Sequence, residues 1–146
     1  MAKKANDKSR DLTGPVIPER LLGALEAEVM HFMWELDHAT VQRIVRLISY
    51  RRTVAYTTVM TIMGHLVNKG LLTRTSDGKR YDYRVALTRD EFLRRAARER
   101  VKRLLGDFGE LGFDAFVDEV RASGPQKMKR LKSLLERLSG EDASSS

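Results

Sequence analysis

The stretch from Tyr56 to Leu87 determines the fold: it reads YTTVMTIMGHLVNKG and then LLTRTSDGKRYDYRVAL. In the first part, apolar residues recur at three- and four-residue steps, as on the buried face of an amphipathic helix. Gly70 stands where a helix commonly ends on a left-handed backbone conformation. In the second part, two short segments flank Asp77-Gly78, a dipeptide suited to a tight hairpin turn. We therefore predict a recognition helix from about Ala55 to Lys69, followed by a hairpin that forms a wing.

Two further helices are predicted before this stretch. From Pro18 to about Asp37 the apolar residues again recur with a helical period. Thr40 is a suitable N-cap for a shorter helix that ends near Tyr50. Three helices followed by a hairpin is the order of a winged helix, in which the third helix enters the major groove of DNA. The sequence thus predicts a winged helix-turn-helix domain over residues 18–87, with a flexible arm over residues 1–17.

A helical module is predicted after the wing. Thr88 and Glu91 form a capping-box pattern that opens a long charged helix, and two more helical stretches follow Gly106, separated by Gly124 and Pro125. Such short helices cannot bury so many large apolar residues against one another, so we expect an identical chain to cover them. The alternative is that this region folds back on its own winged helix.

The predicted fold class is therefore mainly α with a small β-hairpin: an N-terminal winged helix-turn-helix and a C-terminal helical dimerisation module. The module spans residues 88–139, and a disordered tail is expected over residues 140–146. The residues expected at the dimer interface are Phe92, Val101, Leu104, Leu105, Phe113, Phe116, Val117, Met128, Leu131, Leu134, Leu135 and Leu138.

Composition favours a binding function over an enzymatic one. The 146 residues are 42% hydrophobic and 32% charged, which is typical of a globular chain with one small core. No apolar run is long enough to cross a bilayer, so a cytoplasmic protein without membrane contact is expected. The chain has no cysteine and three scattered histidines, and we predict no metal site and no cofactor. No nucleophile–base pair or glycine-rich phosphate loop is evident, so we do not expect an enzyme.

The positive charge is concentrated in the middle of the chain. Residues 38–87 contain nine Lys or Arg and two Asp, a net charge of +7 that equals the charge of the whole chain. This concentration predicts a phosphate-binding surface, with a solvated basic face as the alternative. The expected wing and phosphate contacts are Arg43, Arg46, Arg51, Arg52, Lys69, Arg74, Lys79 and Arg80, with Tyr81 and Tyr83 interleaved in the wing.

The outward face of the predicted recognition helix is polar. A threonine hydroxyl can donate to phosphate or to bases, and its methyl group can contact the methyl of thymine. The residues expected to read DNA are Tyr56, Thr57, Thr58, Thr61, His65 and Asn68. The sequence therefore predicts a homodimer that binds double-stranded DNA. A winged-helix module that binds protein or RNA is the alternative.

Three stretches, LEAEVMHFMW, YTTVMTIMGHLVNKGLLTR and GKRYDYRVAL, resemble the penicillinase and methicillin-resistance repressor family of BlaI/MecI/CopY-like winged-helix regulators. The resemblance extends from about Leu22 to Leu87. It implies an N-terminal winged helix, a C-terminal module that dimerises, and binding to palindromic operators in front of resistance or stress genes.

The chain departs from the pattern of that family at several positions. His65 and Asn68 stand where an arginine and a lysine are common. Family members are often cut by a membrane-bound sensor protease, but the usual Asn-Phe cleavage pair is missing. The absence of cysteine excludes the thiolate copper sensing of some relatives. The signal for release thus remains open between a sensor protease and a small-molecule inducer.

Overall fold

A computed structural model describes residues 20–144, which form two compact units, residues 20–99 and residues 100–144. The arm predicted over residues 1–17 and the last two residues of the predicted tail lie outside the described residues. The chain is mainly helical with a small antiparallel sheet, which confirms the predicted fold class. Between residues 20 and 144, no helix combines the length and the apolar character that a membrane crossing requires.

The first unit has the element order of a winged helix. Its elements are α1 (Ala24–Leu36), β1 (His38–Thr40), α2 (Val41–Ser49), α3 (Tyr56–Asn68), β2 (Leu72–Ser76) and β3 (Tyr81–Val85), followed by the first turns of α4 (Arg89–Phe108). The hairpin of β2 and β3 forms the wing, and α3 stands at the position of the recognition helix.

Local sequence signals determine several of these boundaries. The Thr40 side chain accepts a hydrogen bond from the backbone of Arg43 at 3.3 Å and caps α2. Gly70 follows α3 with φ of 80°, which confirms the predicted left-handed conformation. Thr88 and Glu91 exchange hydrogen bonds of 2.9 and 3.1 Å, so the predicted capping box opens α4.

The first helix starts later than predicted. The sequence pattern begins at Pro18, whereas α1 begins at Ala24. The carboxylate of Glu26 accepts a hydrogen bond from the backbone N–H of Gly23 at 3.3 Å. This contact satisfies one of the free N–H groups at the helix start and places the first turn there.

A third strand, β1, joins the predicted hairpin. The strand order is β1-β3-β2, so β3 is central, and Tyr83 lies opposite Ala39 of β1 and Arg74 of β2. Tyr83 is fully buried in consequence, and its hydroxyl has no hydrogen-bond partner among residues 20–144. Tyr83 is therefore part of the core. The sequence indicates a different position, between the basic residues of a wing that contacts DNA.

In the core of the first unit, the apolar faces of α1, α2 and α3 pack together against this sheet. Its largest fully buried side chains are Val29, Met30, Met33, Ile44, Ile48, Val59, Met63, Leu66, Leu72 and Tyr83. Close packing of these side chains provides most of the stability of such a domain.

Phe92 belongs to this core, which corrects its assignment to a dimer interface. Its ring centroid lies 6.0 Å from that of Trp34, and only 9% of the residue is exposed. The indole N–H of Trp34 donates to the carbonyl of Leu87 at 2.9 Å and holds the start of α4 in place. The boundary between the units therefore falls after Glu99, instead of at residue 88 as predicted.

The second unit consists of the end of α4 together with α5 (Glu110–Ala122) and α6 (Pro125–Ser144). Gly109 and Gly124 separate these helices with φ of 56° and 113°, values that favour glycine. Helix α4 continues through Gly106, and α6 continues to Ser144, so the predicted disordered tail is wrong for residues 140–144. Glycine within a helix costs about 1 kcal/mol relative to alanine, which weakens a helix without ending it.

Most of the residues predicted for the dimer interface are only partly covered within this unit. Those that remain exposed are Val101, Leu105, Phe113, Phe116, Leu135 and Leu138. Those that are half-buried are Leu104, Val117, Met128, Leu131 and Leu134. Phe108 and Leu111 are also exposed, at 61% and 72%, although the sequence pattern did not select them.

Gly112 provides a test of the packing of the second unit. A Cβ atom at this buried position would lie 2.8 Å from the carbonyl oxygen of Leu104, whereas a Cβ at Gly106 would have no neighbour within 4 Å among residues 20–144. We expect Gly112→Ala to lower the free energy of unfolding by about 1–3 kcal/mol, because a backbone carbonyl must shift. Gly106→Ala should raise it by about 0.5–1 kcal/mol through helix propensity. Urea unfolding followed by circular dichroism measures both, and equal stabilisation by the two variants would contradict the close approach.

Candidate nucleic-acid interface

Helix α3 separates a buried face from an exposed polar face. Val59, Met63 and Leu66 are fully buried and anchor the helix on the core. The six residues predicted to read DNA, namely Tyr56, Thr57, Thr58, Thr61, His65 and Asn68, are all exposed. The helical period of the sequence therefore predicted correctly which side of α3 meets solvent.

The N-terminus of α3 is suited to an anion. Its N-cap is Ala55, which provides no side-chain hydrogen bond, and the first turn contains no acidic residue. The first N–H groups of a helix have no partner within the helix, and they carry a partial positive charge. This end of α3 thus presents free donors at the point where the exposed threonines begin.

Thr57 and Thr61 differ in what they offer to a ligand. The hydroxyl of Thr61 donates to the carbonyl of Thr57 at 2.9 Å, one helical turn earlier. That bond fixes the side-chain rotamer of Thr61 and leaves its methyl group and an oxygen lone pair available. Among residues 20–144, no group bonds to the hydroxyl of Thr57. Thr57 can therefore donate to a ligand, whereas Thr61 presents a methyl group.

The tip of the wing is organised around Asp77. Its carboxylate accepts hydrogen bonds of 3.0 Å from the backbone N–H groups of both Lys79 and Arg80, and these bonds lower the pKa of Asp77. Gly78 has φ of 94°, which a glycine tolerates. The turn is thereby fixed with the side chains of Lys79 and Arg80 exposed at its end.

Arg74 connects the wing to α3. Its guanidinium carbon lies 4.6 Å from the centroid of the Tyr81 ring, within the range of a cation–π contact. One of its terminal nitrogen atoms lies 3.9 Å from where a Cβ atom of Gly64 would be. A positive charge of the wing thus lies beside the middle of the exposed face of α3.

The other predicted phosphate contacts fall into two groups. Arg43 and Arg46 on α2, and Arg51 in the turn before α3, are exposed and form no ion pair within residues 20–144. Arg52 and Lys69, in contrast, bind carboxylates of α1.

The two carboxylates are functional candidates that the sequence pattern did not reveal. Glu28 pairs with Arg52 at 2.5 Å, and Glu26 pairs with Lys69 at 2.7 Å. The partners are separated by 24 and 43 residues along the chain, so no local spacing signals these contacts.

The family model described as "Penicillinase repressor" matches residues 22–137, which is most of the chain and includes both units. The chain belongs to the penicillinase repressor family. This membership confirms the resemblance of the recognition-helix stretch, and it extends the match beyond Leu87 into the C-terminal helices.

Curated relatives of this chain agree with that assignment. The protein named transcriptional regulator BlaI in two strains of Mycobacterium tuberculosis is 37% identical over 73 residues, which cover 49% of this chain and 53% of the relative. The match thus spans about half the length of these relatives. An uncharacterised 16.5 kDa protein of Latilactobacillus sakei is 26% identical over 98 residues, or 67% of each chain.

Solved structures provide weaker likenesses. The DNA-binding domain of the repressor BlaI matches 53% of this chain and 93% of its own, with 22% identity and a TM-score of 0.44. RosR of H. salinarum matches 88% of this chain and 99% of its own, with 19% identity and a TM-score of 0.43. The winged-helix assignment therefore rests on the order and pairing of the elements described above.

Proposed function

We propose that this member of the penicillinase repressor family is a sequence-specific transcriptional repressor that binds palindromic operator DNA in the cytoplasm as a homodimer. Each chain would insert α3 into a major groove, with the wing on the adjacent backbone. Two copies would engage half-sites about 34 Å apart on one face of the duplex. RNA polymerase would then be excluded by steric overlap.

The main support for this proposal is the combination of hydrogen-bond donors and cations around α3. The uncapped N-terminus of the helix lies at the start of its exposed polar face. Arg43, Arg46 and Arg51 stand exposed without ion pairs inside residues 20–144. Free cations are available to neutralise phosphates, and a polar helix face is available to read base edges.

The proposal is tested by titrating the full chain against two duplexes, the promoter of its own gene and a random sequence of equal length. Fluorescence anisotropy at several salt concentrations gives both affinities and their salt dependence. We expect a discrete complex with the promoter that is at least about a thousandfold tighter than with random DNA. Equal affinity for the two duplexes, or binding to RNA alone, would contradict the proposal.

Arg80 at the tip of the wing is expected to contribute affinity without specificity. Because a phosphate contact releases a counterion, Arg80→Ala should weaken binding to both duplexes equally and reduce the salt slope by about 0.9. Arg121→Ala is the matched control, since Arg121 lies on α5 in the second unit and is also exposed. A change in the ratio of the two affinities on replacing Arg80 would show that the wing reads sequence.

A further inference from the structure

Two ion pairs connect α1 to the two ends of the recognition helix. Arg52 lies in the turn between α2 and α3, and its Nη2 atom is 2.5 Å from Oε2 of Glu28. Lys69 is the C-cap of α3, and its Nζ atom lies 3.0 and 2.7 Å from the two carboxylate oxygens of Glu26. Both glutamate side chains are largely buried, at 18% and 13% exposure, whereas the two cations are about half exposed.

We propose that Glu28 and Glu26 are positioning residues of the DNA-binding surface, which hold Arg52 and Lys69 in ion pairs and thereby withhold both cations from phosphate. This inference rests on the proposed function. The sequence indicates a different role for Arg52 and Lys69. Both lie in the basic stretch and are expected there to contact phosphate.

The burial of the two carboxylates is the first reason to infer that Arg52 and Lys69 are withheld from phosphate. A glutamate that is largely removed from water loses solvation, and it needs its cation to compensate. If Arg52 moved to a phosphate, Glu28 would remain desolvated without a partner and close to a second negative charge. The exchange of a carboxylate for a phosphate is therefore unfavourable at Glu28, and Glu26 would retain only its hydrogen bond from the backbone N–H of Gly23.

The position of the two ion pairs, one at each end of α3, is the reason to infer that the glutamates position the recognition helix. Arg52 precedes the start of α3, and Lys69 ends it, so the contacts with Glu28 and Glu26 restrain both ends of one helix against α1. A recognition helix reads bases only when its side chains meet the correct edges. Loss of a restraint should therefore affect discrimination between sequences more than total affinity.

Arg51 and Arg52 provide a matched comparison, because they are adjacent and only Arg52 has an ion pair within residues 20–144. Salt titrations on the promoter and random duplexes should give a slope reduced by about 0.9 for Arg51→Ala, as for a lost phosphate contact. Arg52→Ala and Lys69→Ala should leave the slope within about 0.3 of the original value, and Arg52→Ala should lower the promoter-to-random ratio about tenfold. A slope reduction in Arg52→Ala equal to that in Arg51→Ala would overturn the inference.

Glu28→Gln tests the carboxylate side of the same pair. We expect it to lower the promoter-to-random ratio as Arg52→Ala does and to raise the affinity for random DNA, because Arg52 is no longer withheld from phosphate. The charge swap Arg52→Glu with Glu28→Arg should restore part of the ratio. Unchanged affinity of Glu28→Gln for random DNA, or an unchanged promoter-to-random ratio, would overturn the inference.

A measurement without DNA separates this inference from the proposed function. Amide hydrogen exchange of α3 should accelerate in Arg52→Ala and in Glu28→Gln, and the double variant should show little further change. Additive effects would overturn the positioning role even if the protein binds its operator. Coupled effects in a protein that binds no duplex would support the positioning role while contradicting the proposed function.

Discussion

Phe116→Glu is expected to convert the proposed homodimer to a monomer and to lower its affinity for the operator by about a hundredfold or more. In a dimer, the second half-site is bound at a high effective concentration, which raises the overall affinity by about 10²–10⁴. A monomer loses that gain even when its own winged helix is intact. The expected loss is therefore large, although Phe116 lies in the second unit, outside the proposed DNA-binding surface.

The exposed apolar residues of the second unit are the reason for this expectation. Val101, Leu105 and Phe108 follow one another at helical steps and share a face of α4. Phe113 and Phe116 share a face of α5 in the same way, and both are about half exposed. Large apolar patches on a chain of this size mark surfaces that another molecule covers. A glutamate within such a surface would be buried without a partner.

Light scattering after size exclusion measures the mass of the Phe116→Glu protein, and anisotropy measures its operator affinity. Phe116→Leu is the control, since it preserves an apolar side chain of similar volume and should remain dimeric. Leu135→Lys on α6 repeats the test at a second helix, and circular dichroism confirms that each variant is folded. A dimeric mass for both charged variants would contradict this interface.

Much of the fold was predictable because its signals are local. Thr40, Gly70 and the Thr88–Glu91 box each act within three or four residues, and each occurs in the structure as predicted. The period of α3 also predicted which of its residues are exposed, and hence which of them are candidates to contact DNA. Short-range hydrogen bonds and helical periodicity are visible in a single sequence.

The features that the sequence did not predict depend on distant partners. Strand β1 has only three residues, and it forms because Ala39 pairs with Tyr83, forty-four positions away. The same pairing covers Tyr83, whereas Tyr81 on the same strand stays exposed near the end of the hairpin. Arg52 is predicted to contact phosphate, and no local spacing indicates that Glu28 lies beside it. Each of these features arises from a tertiary contact that has no counterpart in local spacing.

Thr57 and Thr61 are expected to respond in opposite ways to the same pair of substitutions. The hydroxyl of Thr61 is bonded to the carbonyl of Thr57, so the methyl group is what Thr61 presents to a base edge. Thr61→Ser, which removes the methyl, should therefore lower the promoter-to-random ratio more than Thr61→Val, which retains it. No residue in the described part of the chain bonds to the Thr57 hydroxyl, so Thr57→Val should lower the ratio more than Thr57→Ser. The larger effect at each position should be about 1–3 kcal/mol, which is the usual contribution of a base contact.

Anisotropy titrations of the four variants on both duplexes measure this contrast, and a duplex series with single base changes locates the base that each threonine reads. Thr58→Ser and Thr58→Val, at a third exposed position of the same predicted DNA-reading face, can be compared on the same duplexes. The salt slope should stay constant in all four variants, because none of them removes a charge. If the promoter and random duplexes lose affinity equally in every variant, α3 does not read sequence. If Val and Ser rank in the same order at both positions, the hydrogen bond between Thr61 and Thr57 does not determine what each side chain presents.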